Sequence, residues 1–73
     1  MADDEDRAEA AYAAMYDAEP RACKDLKDDA CFYLSRAIAA AKAAGRHGDA
    51  ARLRERLDHV TRVYNSQFRG VGR

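Results

Sequence analysis

The stretch that decides the fold is residues 31–45, which reads CFYLSRAIAAAKAAG. At about 100° per residue along a helix, apolar side chains fall on more than one side of this segment. A helix of that kind needs cover from several directions. Gly45 closes the segment, because glycine readily takes the left-handed conformation that ends many helices. The stretch therefore predicts a central helix that the rest of the chain covers.

The central helix extends towards the N-terminus as far as Pro20. Proline disfavours helical geometry at the preceding residue, Glu19, and fits the first turn of a helix. We therefore predict a break at residues 17–19 and a helix over residues 20–44, with Asp17 or Glu19 as its N-cap.

Two opposite faces of this helix carry different residues. The apolar face, here called the inner seam, has the three- and four-residue spacing of a buried surface and comprises Cys23, Leu26, Ala30, Leu34, Ala37, Ile38 and Ala41. The opposite face, here called the outer stripe, is acidic at its start and mostly alanine after its one aromatic residue. Its members are Ala22, Asp25, Asp29, Phe32, Arg36, Ala39 and Ala43. Because the inner seam is apolar, we expect another helix of the chain to pack against it.

That partner is predicted after a turn at residues 45–48. Asp49 is a suitable N-cap for a helix over residues 50–68. Its apolar stripe comprises Ala50, Leu53, Leu57, Val60, Tyr64 and Gln67 or Phe68. This alternating spacing of three and four residues matches that of Cys31, Leu34, Ile38, Ala41 and Gly45 on the central helix. A short loop places two helices antiparallel, so we predict a helical hairpin with coiled-coil-like packing. Residues 69–73 contain two glycines and are predicted to be frayed.

A short helix is predicted before the hairpin, over residues 4–16. The consecutive acids at residues 3–6 suit a helix start, where the helix dipole favours negative charge. One side of this helix carries Ala8, Ala11, Tyr12, Met15 and Tyr16.

Length and composition indicate one small all-α domain. The chain has 73 residues and only twelve Leu, Ile, Val, Phe and Met side chains, while alanine, the best helix former, is abundant. A core this small gains stability from a second copy. We therefore predict a homodimer, built as a helical bundle from two hairpins.

Charge is balanced overall but divided along the chain. Thirteen basic residues offset thirteen acidic ones, yet residues 1–31 carry a net charge of −6 and residues 32–73 a net charge of +6. Antiparallel helices would bring the two halves together, so we expect ion pairs within the chain. The balance does not favour a dedicated nucleic-acid-binding domain, which usually carries a net positive charge.

The first residues read MADDED, without the positive segment and apolar run of a secretory signal. No segment approaches the roughly 20 apolar residues that a membrane span requires. We therefore expect a soluble, cytoplasmic protein with no membrane partner.

The sequence offers little for catalysis. There are two serines and one threonine, and the adjacent carboxylates Asp28 and Asp29 would point about 100° apart on a helix. We therefore expect a protein that is not an enzyme and holds no cofactor.

The cysteines and histidines do not match a zinc-binding pattern. Cys23 belongs to the inner seam, where a free cysteine packs as a small apolar residue. Cys31 lies at the edge of the seam, and an intermolecular disulfide there is left open. His47 is expected in the turn, and His59 opposite the apolar stripe of its helix. No metal site is predicted.

The leading functional hypothesis is an interaction module, an adaptor or regulator that binds protein through apolar helix faces. Its candidate partner or dimer face consists of Tyr12, Met15, Tyr16, Phe32, Tyr33, Ala39 and Ala43. Two arrangements remain open at this point. In the first, the first helix covers Phe32 and the alanines behind it and closes a three-helix core. In the second, the first helix stays loose and the second helices of two chains pack together through Ala39, Ala40 and Ala43.

The alternative hypothesis is a small nucleic-acid-binding regulator. Its candidate surface is a basic face of the third helix carrying Arg52, Arg62 and Arg69, which would contact phosphates. Glu55 and Asp58 interrupt this face, and no aromatic residue interleaves with it.

Overall fold

The computed structural model describes residues 3–68 and confirms an all-α fold, with no strand in that range. Helix α1 spans Asp4–Ala14, α2 spans Pro20–Ala43, and α3 spans His47–Val63. One turn of π-helix, Tyr64–Phe68, continues α3. The predicted frayed tail, residues 69–73, lies outside the described residues.

The three helices form a shallow layer with α2 in the middle. The Cα atoms extend over 43 × 25 × 12 Å, so the molecule is long in one direction and thin in another. Both α1 and α3 pack against α2, and they run parallel to each other and antiparallel to it. Because α1 and α3 both pack on α2, they cover one face of this helix and leave the opposite face open to solvent.

The core forms where the inner seam meets the other two helices. Leu34 and Ala30 are fully buried on α2, as is Val60 on α3, and Ala8 of α1 lies among them. Every residue of the inner seam is buried or half-buried, and the predicted stripe of α3 is buried at Ala50, Leu53 and Val60. The heptad-like spacing therefore predicted the hairpin interface. Within residues 3–68, none of the helices has the length and apolar character needed to cross a membrane.

The start of α1 is capped by Asp3, whose carboxylate accepts a hydrogen bond from the backbone N–H of Asp6 at 2.8 Å. The helix ends two residues before the predicted position, because Met15, Tyr16 and Asp17 each donate to a carbonyl three residues back rather than four. Such bonds tighten the last turn of a helix.

The predicted break before α2 is present. Glu19 has extended backbone geometry, with φ −63° and ψ 150°, and Pro20 occupies the first turn. Of the two predicted N-cap residues, Asp17 and Glu19, the structure has Glu19. Its side chain makes no capping hydrogen bond. The N–H of Ala22, which such a cap could satisfy, donates instead to the backbone carbonyl of Glu19 at 2.9 Å.

The turn from α2 to α3 is shorter than predicted. Gly45 adopts the expected left-handed conformation, with φ +74°. Its N–H donates to the Lys42 carbonyl at 3.0 Å, and the Arg46 N–H donates to the Ala41 carbonyl at 2.8 Å. These are the two hydrogen bonds of a Schellman motif, which reverses the chain within a few residues.

Consequently α3 begins at His47, three residues before the predicted start. The prediction of Asp49 as N-cap is wrong, since Asp49 lies within the first turn and forms an ion pair with Arg46. A carboxylate in this turn still interacts favourably with the helix dipole.

Candidate interaction surface

On one face of the layer, charged side chains of α1 and α3 meet across α2. Arg52 holds the Glu5 carboxylate through two nitrogens, at 2.8 and 3.2 Å. One helical turn further on, Arg56 holds Glu9 in the same manner, at 2.8 and 2.6 Å. The two pairs share a separation of 47 residues, as expected for parallel helices. Two carboxylates of the acidic N-terminal part of the chain are thus paired with arginines of the basic C-terminal part.

These pairs shift the titration of their members. The hydrogen bond from Arg56 lowers the pKa of Glu9 below its ordinary value of 4.5, with a smaller opposing effect from burial. The same bond raises the pKa of Arg56. The side chains keep 36% and 39% of their surface exposed, so solvent screening limits what the pair contributes.

The other end of this face is closed by aromatic rings. Tyr12 packs edge-on against Tyr16 and His59, with centroid separations of 5.7 and 6.0 Å, and Tyr16 packs against Phe68 at 5.2 Å. The Tyr12 and Tyr16 hydroxyls lie 3.1 Å apart, and this hydrogen bond is the main cause of a raised Tyr12 pKa. His59 Nε2 is 3.4 Å from the Tyr12 hydroxyl.

Two sequence predictions are corrected at this end of the layer. His59 was expected opposite the apolar stripe of α3, but it is half-buried against α1. Met15 was assigned to a partner face, but it is 1% exposed and belongs to the interior. Tyr12 is half-buried as well, so within this aromatic cluster only Tyr16, 54% exposed, presents a large surface to solvent.

The opposite face of the layer exposes the outer stripe of α2. All of its members except the half-buried Ala22 are exposed, and Phe32 is 55% exposed. Phe32 packs edge-on against the half-buried Tyr33, with ring centroids 5.3 Å apart. The Arg36 guanidinium lies 5.6 Å from the centre of the Phe32 ring. The surface therefore presents an aromatic side chain beside the positive charge of Arg36, followed along the helix by the small residues Ala39 and Ala43.

Helix α1 covers the side of α2 next to this stripe, not the stripe itself. Arg7 of α1 lies over the Tyr33 ring at 5.8 Å, and Asp4 is 3.4 Å from the Nε of Arg36. Phe32 remains exposed beside them. Neither arrangement considered from the sequence is found in full: α1 does not cover Phe32, and it is not loose, because it packs on α2 and buries Ala8.

The acidic half of the outer stripe contains unpaired carboxylates. Asp25 and Asp29 are exposed, and neither forms an ion pair within residues 3–68. Their neighbour Asp28, by contrast, is bonded by Lys27 at 2.7 Å and Lys24 at 2.9 Å, and these bonds lower its pKa.

The arginines of the predicted nucleic-acid surface do not share one environment in the structure. Arg52 is engaged by Glu5, and Arg69 lies outside the described residues. Arg62 is exposed and lines a shallow concavity with His59, Val63, Asn65 and Ser66. Of the three predicted arginines, only Arg62 is exposed and without an ion pair among residues 3–68.

Both cysteines are free thiols with local partners. The buried Cys23 donates from Sγ to the carbonyls of Met15 at 3.4 Å and Glu19 at 3.5 Å, which ties α2 to the preceding turn. Cys31 is half-buried against α3, with Sγ 3.7 Å from Thr61 Oγ1. No cluster of three or more metal-ligating side chains is found among residues 3–68.

An open cleft of about 430 Å³ lies where the start of α1 meets the turn between α2 and α3. Alanines of α2 form much of its lining, together with charged side chains of α1 and α3. Its two arginines, Arg46 and Arg52, each pair with a carboxylate of the same cleft, Asp49 and Glu5 respectively. The lining also includes the carboxylates of Asp3 and Asp4, so the cleft as a whole is acidic.

No protein-family model matches the chain, and comparisons with curated proteins and with solved structures also give no match.

Proposed function

We propose that this protein is a non-enzymatic helical interaction module, an adaptor or regulator of the cytoplasm that associates with protein through the outer stripe of α2. The observation that carries the proposal is the 55% exposure of Phe32 on a helix whose opposite face is buried or half-buried along its length. Aromatic residues flanked by arginine are typical of the side chains that contribute most to binding at protein interfaces.

Three reactive side chains have contacts within the fold, which supports a role other than catalysis. The Cys23 thiol donates to backbone carbonyls, the Thr61 hydroxyl donates to the Leu57 carbonyl at 3.0 Å, and His59 contacts Tyr12. These groups have structural partners, whereas Phe32 and the unpaired carboxylates of the outer stripe face solvent.

The proposal is tested by photo-crosslinking in the native cell. A benzophenone analogue of phenylalanine is placed at position 32, and in a matched control at position 51, where Ala51 is exposed on α3. We expect protein adducts from position 32, whether with a second copy or with another protein, and few from position 51. Equal yields from the two positions, or none from position 32, would overturn the proposal.

A further inference from the structure

The outer stripe has a spacing suited to a second helix. Its members follow one another at intervals of three and four residues from Ala22 to Ala43. This is the heptad-like pattern with which helices pack at a shallow angle. The stripe extends over roughly 31 Å at about 1.5 Å per residue, so a partner helix can lie along much of α2.

The order of charges along the stripe fits a copy of itself in reverse. Its first half carries the unpaired Asp25 and Asp29, and its second half carries Arg36. Phe32 lies between the two halves. When two such stripes are laid antiparallel with the Phe32 side chains facing each other, Arg36 of each copy comes opposite Asp29 of the other. In the same register, Ala39 faces Asp25 and Ala43 faces Ala22.

From this pattern we propose that the chain forms a twofold-symmetric dimer in which the outer stripes of two α2 helices pair antiparallel. The inference rests on the proposed function and names its partner, a second copy of this chain. A twofold axis requires a self-complementary surface, and the stripe meets that requirement in its spacing and its order of charges. A parallel pair would instead place Arg36 against Arg36 and Asp29 against Asp29, which like-charge repulsion disfavours.

The contacts that Arg36 makes within the chain are compatible with this role. Its contact with Asp4 is a single approach of 3.4 Å through Nε, whereas a guanidinium has five N–H donors. Its position over Phe32 places the charge beside the proposed twofold axis. Because the surface is a single helix face, we expect a weak dimer, of the kind formed by small interfaces.

The test exchanges charges across the predicted register. Sedimentation equilibrium from micromolar to millimolar concentration should show the wild-type mass rising from 8.1 kDa towards twice that value. Asp29→Arg and Arg36→Asp should each weaken the dimer by at least about tenfold. An equal mixture of these two variants should form a heterodimer, because each variant supplies the charge that the other lacks. The double variant should also recover the dimer.

A second pair of variants avoids the contact between Arg36 and Asp4. Ala39 is exposed and faces Asp25 of the other copy in the proposed register. Ala39→Arg should therefore tighten the dimer and Ala39→Asp should weaken it, while helix content measured by circular dichroism stays at the wild-type level. In a parallel pair, Ala39→Arg would weaken the association instead.

Each other outcome overturns a defined part of the inference. A wild-type chain that remains monomeric at millimolar concentration excludes the second copy. A dimer that ignores the charge exchanges, or that the mixture fails to restore, excludes the antiparallel register. If position 32 crosslinks to another protein and never to itself, the proposed function stands and the dimer is excluded.

Discussion

The two faces of α2 share a spacing and differ in what occupies it. The inner seam and the outer stripe both follow three- and four-residue intervals over the same helix. The inner seam is apolar throughout and is covered by α1 and α3, while the outer stripe mixes charge, one aromatic ring and alanine and is exposed apart from Ala22. Spacing thus makes a face able to pack against a helix, and composition decides whether that packing is needed for folding or remains for association.

The largest expected difference between the faces comes from removing one bulky side chain from each. Leu34 is fully buried, so Leu34→Ala should lower the free energy of unfolding by about 2–5 kcal/mol. Phe32 is 55% exposed, so Phe32→Ala should cost less than about 1 kcal/mol. Chemical denaturation at low chain concentration measures both. Similar losses for the two variants would contradict the division into an inner and an outer face.

Adding volume sharpens the same comparison with a smaller effect. Ala30 is 0% exposed, and Ala30→Leu should destabilise the fold by about 1–3 kcal/mol because the packed layer has no room for the added atoms. The matched change Ala39→Leu, on the outer stripe, should stay within about 0.5 kcal/mol of wild type. Thermal unfolding followed by circular dichroism ranks the two variants. A stabilising effect of Ala30→Leu would show that the inner seam is loosely packed.

The turn that brings α3 onto the inner seam offers a test in which two glycines act in opposite directions. Gly45 has φ +74°, which strains any residue with a Cβ, so Gly45→Ala should cost about 1–2 kcal/mol. Gly48 lies in α3, and a Cβ there would meet no atom within 4 Å, so Gly48→Ala should stabilise the fold by up to about 1 kcal/mol. Urea midpoints of the two variants on opposite sides of wild type would confirm the Schellman turn; shifts in the same direction would refute it.

The sequence predicted best those features that depend on residues close to one another along the chain. The inner seam, the helix break before Pro20 and the left-handed Gly45 follow from spacing and backbone preference, and all three were predicted correctly. The start of α3 was not, because an aspartate after a glycine resembles an N-cap. The Schellman motif had already reversed the chain, so the helix begins earlier, at His47.

The errors at the candidate site arise from contacts distant in sequence. The position of His59 depends on Tyr12, 47 residues earlier, and Met15 is buried only because α1 folds onto the hairpin. Neither follows from the periodicity of a single helix. The charge difference between the two halves of the chain was the one sequence signal that pointed to this docking. It indicated ion pairs within the chain but not which side of α2 they would cross.

The smallest expected effect concerns the charges that hold α1 over the inner seam. Glu9 has a lowered pKa in the folded protein because of its bond with Arg56, so its contribution is complete above the ordinary value of 4.5 and is lost as the pH falls through the lowered pKa. The pair is partly exposed, so Glu9→Gln should cost roughly 0.2–1 kcal/mol at pH 7. At pH 3 and below, the difference from wild type should shrink towards zero.

Glu55→Gln is the matched control, because Glu55 is exposed and forms no ion pair within residues 3–68. Urea unfolding across this pH range measures both variants, and equal losses at pH 7 would show that the charges between α1 and α3 do not stabilise the cover of the inner seam.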